Sequence, residues 1–340
     1  MVSVSVKDVA ALAGVSLGTV SNVLNRPDRV APGTRDRVLA AIDELGFVRN
    51  EAARQLRAGH SRMIGLVVLD VGNPFFTDVA IGVEQAAAGA GLSVILCNSA
   101  ESTERENHYL SLLQEHRAYG VLITPVAEQN PRIEQIRRRG IPTVLVDHGT
   151  TRRQCSVSVD DVVGGELAAA HLLAAGHERI AFLGGPLGIK QVADRLAGAR
   201  KAIRAAGVDP FRLTLIETGA MTVAAGRAAA ERLRAVRGDR PTGVCCANDM
   251  LALGVLQDMT RHHVDVPGEL AIVGYDDIDF AAAAAVPLTS VRQPRVQLGE
   301  AAATLLIDEV ERPATHQHRQ VVFEPELVVR ESTTPAAGAR

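Results

Sequence analysis

From residue 63 onward the chain alternates between short, unbroken apolar runs and longer stretches of helical period. The runs are MIGLVVLD (63–70), LSVILCN (92–98), YGVLITP (119–125), IPTVLVD (141–147), RIAFLGG (179–185), TGVCCAND (242–249) and LAIVGYDD (270–277). An unbroken run is what a parallel strand needs when helices cover both of its faces. Between the first two lies FFTDVAIGVEQAAAGAG (75–91), an amphipathic stretch that ends on glycine. Such units recur roughly every thirty residues, and alternating strand–helix units predict doubly wound α/β sheets with right-handed crossovers. Two sets, before and after about residue 161, predict two subdomains.

The first sixty residues have the helical period alone. Ser5 opens a capping box closed by Asp8, and a helix follows with Val6, Val9, Ala10, Leu12 and Ala13 facing inward. Gly14 supplies the left-handed stop, and Ser16 caps a second helix, Leu17 to about Asn25, whose Val20, Val23 and Leu24 meet the same core. A third begins near Pro32, carries Val38, Leu39, Ile42 and Leu45, and ends at Gly46. Two short helices joined by a tight turn and braced by a third predict a helix-turn-helix. Its second helix enters a major groove by its first turn. Leu17, Gly18 and Asn22 then face base edges, and the hydroxyls of Ser16, Thr19 and Ser21 suit phosphate oxygens. Asn25 ends the same helix and joins the set. The same pattern also describes a three-helix bundle that binds a protein.

Ligands of open α/β sheets bind beyond the carboxyl ends of the strands. The polar residues at those ends are Asp70 and Asn73, Asp147, Asp160, Asn248 and Asp249, and Asp276 and Asp277. One aspartate after a strand is usually a helix cap, whereas several facing one cleft suit a polyhydroxylated ligand. Arg195 supplies matching donors, and Phe75, Phe76, Phe182 and Tyr275 offer ring faces for stacking.

Charge sharpens the division. The chain carries −3 overall, yet residues 1–62 sum to +3 and the rest to −6. A basic head on an acidic body suits a polyanion-binding module carried by a body that binds something else. No apolar run approaches the ~20 residues of a membrane span, and the start lacks the pattern of a signal peptide. The cytoplasm is the expected compartment, with Cys97, Cys155, Cys245 and Cys246 as reduced thiols without C-x-x-C spacing. His262-His263 and His316-x-His318 lie in polar segments and read as solvated, so no metal and no cofactor is expected.

The string VKDVAALAGVSLGTVSNVLN (6–25) closely resembles the head of the lactose-repressor family of bacterial transcription regulators. The resemblance continues through RVLAAIDELGFVRNEAARQLRAG (37–59) and over essentially the whole chain. It implies a helix-turn-helix domain over 1–48 and a hinge helix over 49–60. An effector-binding and dimerisation domain of periplasmic-binding-protein type follows over 61–335, with a disordered tail over 333–340. Within that body the first subdomain is expected over about 61–161 plus 292–322, and the second over about 162–290 plus 323–332. In the hinge the resemblance makes Leu56 the wedge that enters a minor-groove base step, with Ala53 and Arg57 also at the DNA. At the cleft VGNPFF, DRLAG, ANDMLALG and VGYDD carry over Phe75, Arg195, Asn248 and Asp276 as effector contacts. The pair Leu17-Gly18 departs from the polar or aromatic pair usual there, so the operator is this chain's own.

The implied function is a homodimeric repressor of carbohydrate-utilisation genes. It binds a pseudo-palindromic duplex operator under control of a small sugar; the alternative effector is a purine or other corepressor. Two rivals fit less well. An enzyme would be expected to show H-E-x-x-H, a phosphate-binding G-x-x-x-x-G-K-[ST] or G-x-G-x-x-G, none of which occurs, or a G-x-S-x-G elbow between a strand and a helix, whereas the matching string GVSLG (14–18) joins two expected helices. A sugar-binding receptor of a transporter would be exported, and it would have no use for the basic helical head. Leu56→Ala is expected to retain weak nonspecific DNA binding while losing most operator affinity; an unchanged dissociation constant at matched salt would remove the wedge.

Overall fold

The Asp8 carboxylate accepts from both the Ser5 backbone N–H, at 2.8 Å, and the Ser5 hydroxyl, at 2.7 Å, and so opens α1 (Val6–Ala13). Gly14, at φ 63°, ends it in the left-handed region that disfavours a Cβ. The Ser16 hydroxyl accepts from the Thr19 N–H at 3.1 Å and caps α2 (Leu17–Asn25). Ala31 has no capping side chain, and α3 (Pro32–Leu45) starts on proline instead. Val9, Val20 and Val38, one from each helix, are fully buried at the centre. Leu12 and Leu39 depart from the expected inward faces, at 47% and 45% exposed. At about 100° per residue, Leu12 sits roughly 105° and Leu39 roughly 130° around its helix from the middle of the face the buried neighbours make.

The structure is a computed structural model that describes residues 4–47, 60–149, 154–238 and 240–333. These divide into two units, one up to Ser61 and one from Arg62. Asn50, Ala53, Leu56 and Arg57 of the expected hinge lie outside the described residues.

The second unit holds two six-stranded sheets. The first lobe runs β1 (Met63–Val68), α4 (Pro74–Gly89), β2 (Ser93–Asn98), α5 (Thr103–Glu115), β3 (Gly120–Ile123), α6 (Pro131–Arg138), β4 (Thr143–Val146) and β5 (Ser156–Val159). The second runs α7 (Asp161–Ala174), β6 (Ile180–Gly184), α8 (Lys190–Ala205), β7 (Leu213–Glu217), α9 (Val223–Ala235), β8 (Gly243–Cys246), α10 (Asp249–Arg261), β9 (Ala271–Asp276), α11 (Asp279–Ala282) and β10 (Thr289–Arg292). The chain then returns through α12 (Arg295–Glu311) and β11 (Gln320–Phe323) before β12 (Glu326–Val328). Strand orders are β11-β5-β4-β3-β1-β2 and β12-β10-β9-β8-β6-β7. Every pairing is parallel except β10 with β12, which is antiparallel. The expected pair of doubly wound parallel sheets is therefore present, with one antiparallel edge.

The chain crosses between lobes after Val159, after Arg292 and after Phe323. Residue 292 thus belongs to the second sheet and 323 to the first, one residue from the expected divisions. Thr333 departs from the expected disordered tail: its hydroxyl is bonded to the Thr289 hydroxyl at 2.7 Å and to the His171 ring at 2.8 Å. The apolar run LSVILCN also departs from burial on both faces. As β2 it is an edge strand, and Ile95 and Leu96 are 39% and 41% exposed.

Helices pack by close approach at paired glycines. A Cβ on Gly165 of α7 would strike the Arg195 carbonyl, and one on Gly198 of α8 would strike that of Val162. Gly82 and Gly299 do the same for α4 and α12. The first crossing sets where α8, and hence Arg195, lies. Gly165→Ala is expected to destabilise the body by about 1–3 kcal/mol, the usual cost of overpacking, read as a lower urea midpoint with unchanged slope.

Candidate functional sites

On the head, α2 turns Leu17, Gly18, Asn22 and Asn25 outward, with Leu17 46% exposed. Ser16 does two jobs, because its hydroxyl caps the helix and is paired with the Thr19 hydroxyl at 2.9 Å. One of that pair's two protons is spent between them, leaving one O–H to donate outward. Ser21 is half-buried, and the Asn25 amide donates to its carbonyl at 2.8 Å and to its hydroxyl at 3.3 Å. The outward side chains of the first turn are thus one apolar residue, one glycine and a hydroxyl pair.

In the body, the carboxyl ends of the two sheets face one cleft. β1 is flanked by β2 and β3, and β6 by β7 and β8. Those are the points where strand order reverses and a crevice opens. Asn73, capping α4 with its carbonyl oxygen on the Phe75 N–H at 3.0 Å, comes from the first lobe, as do Phe75, Phe76 and Asp147. Arg195, Asn248 and Asp276 come from the second, and all seven line one small chamber with Gln191, Leu69, Ile189 and Met221. The chamber encloses only about 20 Å³, room for about one water.

Arg195 organises it. The guanidinium is buried, donating from Nε to Asp161 at 2.7 Å and from Nη1 to the Ala247 carbonyl at 2.6 Å. Its Cζ lies 3.7 Å from the centre of the Tyr275 ring, and Asp276 is 3.9 Å away. Asp276 also accepts from Asn73 at 3.0 Å and from Gln293 at 2.7 Å. The Asn73 bond joins the two lobes, as does Gln191, which donates to the Asp147 carbonyl and, at 3.2 Å, to its carboxylate. Asn248 is held on both sides, its oxygen capping α10 at Leu251 and its nitrogen donating to the Met221 carbonyl at 3.1 Å.

Three carboxyl groups near one guanidinium, Asp161, Asp276 and Asp147, cannot all stay charged out of water. Burial pushes Asp147 well above the ordinary carboxylate range, and repulsion from Asp161 adds to it. Burial also raises Asp161 and Asp276, against the pull of Arg195 in both cases. Asp249 is raised well above that range by burial and by Asp276. Asp147 Oδ1, Gln191 Oε1 and Gln293 Oε1 are buried with no hydrogen-bond partner among the described residues. Asp147 and Gln191 line the chamber, which therefore presents a carboxyl biased towards its protonated form and acceptors in want of donors, the groups that hydroxyls satisfy.

Several expected residues lie elsewhere. Asp160 caps α7, accepting from the Val163 N–H at 3.0 Å, and lines an outer space of about 180 Å³ beside Asp147 and Gln191. Its neighbour Asp161 is the one that turns inward to Arg195. Asp70 accepts from the Gly72 N–H at 2.9 Å and shapes the loop. Phe182 is core, buried in the middle of β6, and the Tyr275 ring face is taken by Arg195. Sequence reasoning missed Gln191, although Gln191 and Arg195 stand four apart on one helix face, a spacing that could have paired them.

Comparison with known proteins agrees with this layout. Residues 5–50 match the family described as bacterial regulatory proteins, lacI family, and residues 169–333 match a periplasmic binding protein-like domain. The HTH-type transcriptional repressor PurR of Photobacterium profundum is 34% identical over 330 residues, 96% of this chain and 98% of that protein. This chain belongs to the lacI family. Another relative, the ribose operon repressor of Escherichia coli, is 34% identical over 320 residues, 93% of this chain and 96% of that one. Among solved structures, the Lac repressor dimer bound to operator and the anti-inducer ONPF superposes with a TM-score of 0.84 at 27% identity. That match covers 98% of this chain and 99% of the other. Among the described residues no helix is long and apolar enough to cross a membrane.

The raised carboxyl of Asp147 gives this lacI-family body a pH dependence. Above the ordinary aspartate range the folded state keeps a proton that the unfolded chain releases, so stability falls as pH rises through that window. Asp147→Asn is expected to flatten the fall. Melting temperatures of the two proteins from about pH 5 to pH 8 should converge at the acid end and diverge at the basic end, the variant being the more stable there.

Proposed function

We propose that the chain is a DNA-binding repressor whose operator affinity is set by a small polyhydroxylated ligand in the cleft around Arg195. The observation that carries this reading is the chamber itself. Asp147, Asp276, Asn248 and Arg195 converge there from both lobes, and two cross-lobe bonds, Asn73 to Asp276 and Gln191 to Asp147, use the groups a sugar would engage. A ligand too large for a 20 Å³ space has to part those bonds and substitute its own hydroxyls. It then favours a different lobe arrangement, and only such differential affinity can couple the cleft to DNA. The chain acts by binding, not by catalysis.

On the DNA side, Leu17 meets a thymine methyl and Asn22 a base edge, while Ser16, Thr19 and Ser21 hold phosphates. The hinge residues Ala53, Leu56 and Arg57 fix the spacing of two half-sites. A homodimer is the reading that the operator-bound dimer of the related Lac repressor supports. Its effector is a sugar; the likeness to the repressor PurR favours a purine as the second reading.

A panel of pentoses, hexoses, disaccharides, sugar phosphates and purines discriminates. A ligand at ~100 times its dissociation constant is expected to stabilise the body by about 2.7 kcal/mol. The same ligand should change the affinity for a duplex selected from a random pool, and Asp276→Asn should remove both effects while DNA binding persists. A panel with no thermal shift in any class would overturn the ligand reading, and failure to select a duplex would overturn the repressor.

A further inference from the structure

At the far end of α12 from the cleft, four side chains with metal-binding chemistry converge. Cys155 immediately precedes β5, Glu309 lies in the last turn of α12, and His316 and His318 occupy the connection from α12 to β11. β11 pairs in parallel with β5, and this pairing brings the connection over the cysteine. The sequence reading of His316 and His318 as solvated is overturned for His316, whose side chain is only 4% exposed.

The distances suit one ion. Cys155 Sγ is 3.3 Å from His316 Nε2 and 3.8 Å from His318 Nδ1. Glu309 Oε2 is 3.8 Å from the same nitrogen of His316 and 4.0 Å from that of His318. All four ligand atoms lie within 4.8 Å of one another. Metal–ligand bonds of about 2.0–2.3 Å in a tetrahedron place ligand atoms roughly 3.3–3.8 Å apart, so closing the cluster on an ion takes side-chain shifts of at most about 1 Å.

Three further features point to a ligand. Glu309 Oε2 is buried without a hydrogen-bond partner among the described residues. The other ring nitrogen of His316 is bonded to Asp308 at 2.8 Å, the carboxylate–imidazole arrangement that orients a metal-bound histidine and raises its basicity. The Arg319 backbone N–H donates to Cys155 Sγ at 3.4 Å, a contact that supports a thiolate.

We propose that Cys155, Glu309, His316 and His318 form a closed zinc site that fastens the end of α12 and the start of β11 to β5. One thiolate and one carboxylate balance a divalent charge, and the thiol proton leaves to solvent when the ion binds. Sulfur and imidazole ligands select zinc over magnesium or calcium. Four protein ligands leave no open position, so the ion is structural and not catalytic.

The test uses the full-length protein stripped with a chelator and titrated with Co²⁺ as a probe for zinc. The expected result is one equivalent per chain with a thiolate-to-cobalt charge-transfer band, displaced by Zn²⁺, and a melting temperature that rises with Zn²⁺. Cys155→Ser should lose the band. His318→Ala removes a side chain that is 32% exposed, so it should fold normally and still bind at least tenfold more weakly. Asp308→Asn should weaken binding about 10–100-fold. His263→Ala, outside the cluster, should change nothing. Absence of the band, or a band that survives Cys155→Ser or is untouched by His318→Ala, would overturn the site.

Discussion

The buried guanidinium of Arg195 is the interaction on which the body depends. It stands where the carboxyl ends of both sheets converge, and burial alone would expel its charge. Asp161, Asp276 and the Ala247 carbonyl hold it on three sides, and the Tyr275 ring covers one face. The helices that carry it are fixed by a glycine-to-glycine crossing that admits no Cβ. Position, charge and packing are thus one constraint: Arg195 is where it is because α7 and α8 can touch through their backbones.

That arrangement creates an imbalance with a use. More carboxyl groups surround the guanidinium than it can neutralise; Asp161 and Asp276 lie within 4.0 Å of it, and among the described residues Asp147, on the opposite lobe, makes no such ion pair. It is held instead by an amide from Gln191. Bonds of this kind are modest in net strength, about 0.5–1.5 kcal/mol each, so the lobes are joined at the cleft by contacts a ligand can replace. The three chain crossings and the Arg295 side chain, which joins Asp78 of the first lobe at 2.8 Å and the Asp276 carbonyl of the second at 3.0 Å, keep the lobes together meanwhile.

α12 links two chemistries. Its first residue, Arg295, grips the backbone beside Asp276, and its last turn carries Asp308 and Glu309 into the cysteine–histidine cluster. Because Gly82 and Gly299 press α12 directly against α4, the helix is a rigid connection between the cleft and the sheet edge. An ion fastening one end would stiffen the first lobe without touching the effector chamber.

The sequence by itself determined the alternation of strand and helix, the three helices of the head and their caps, and most of the chamber's residues. Apolar runs, capping serines and polar strand ends are local patterns, and local patterns survive in one dimension. Strands β5 and β7 were less legible. SVSV alternates in sequence yet is buried throughout, because β4 and β11 flank it; β7 is an edge with little burial. Only the tertiary structure decided which aspartate of Asp160-Asp161 turned inward, that Gln191 reached across to Asp147, and that Tyr275 covered an arginine and not a ligand. It also decided that Cys155 met two histidines more than 160 residues away. Each of these depends on where a strand lands in a sheet, and long-range pairing leaves no period in the chain to be read.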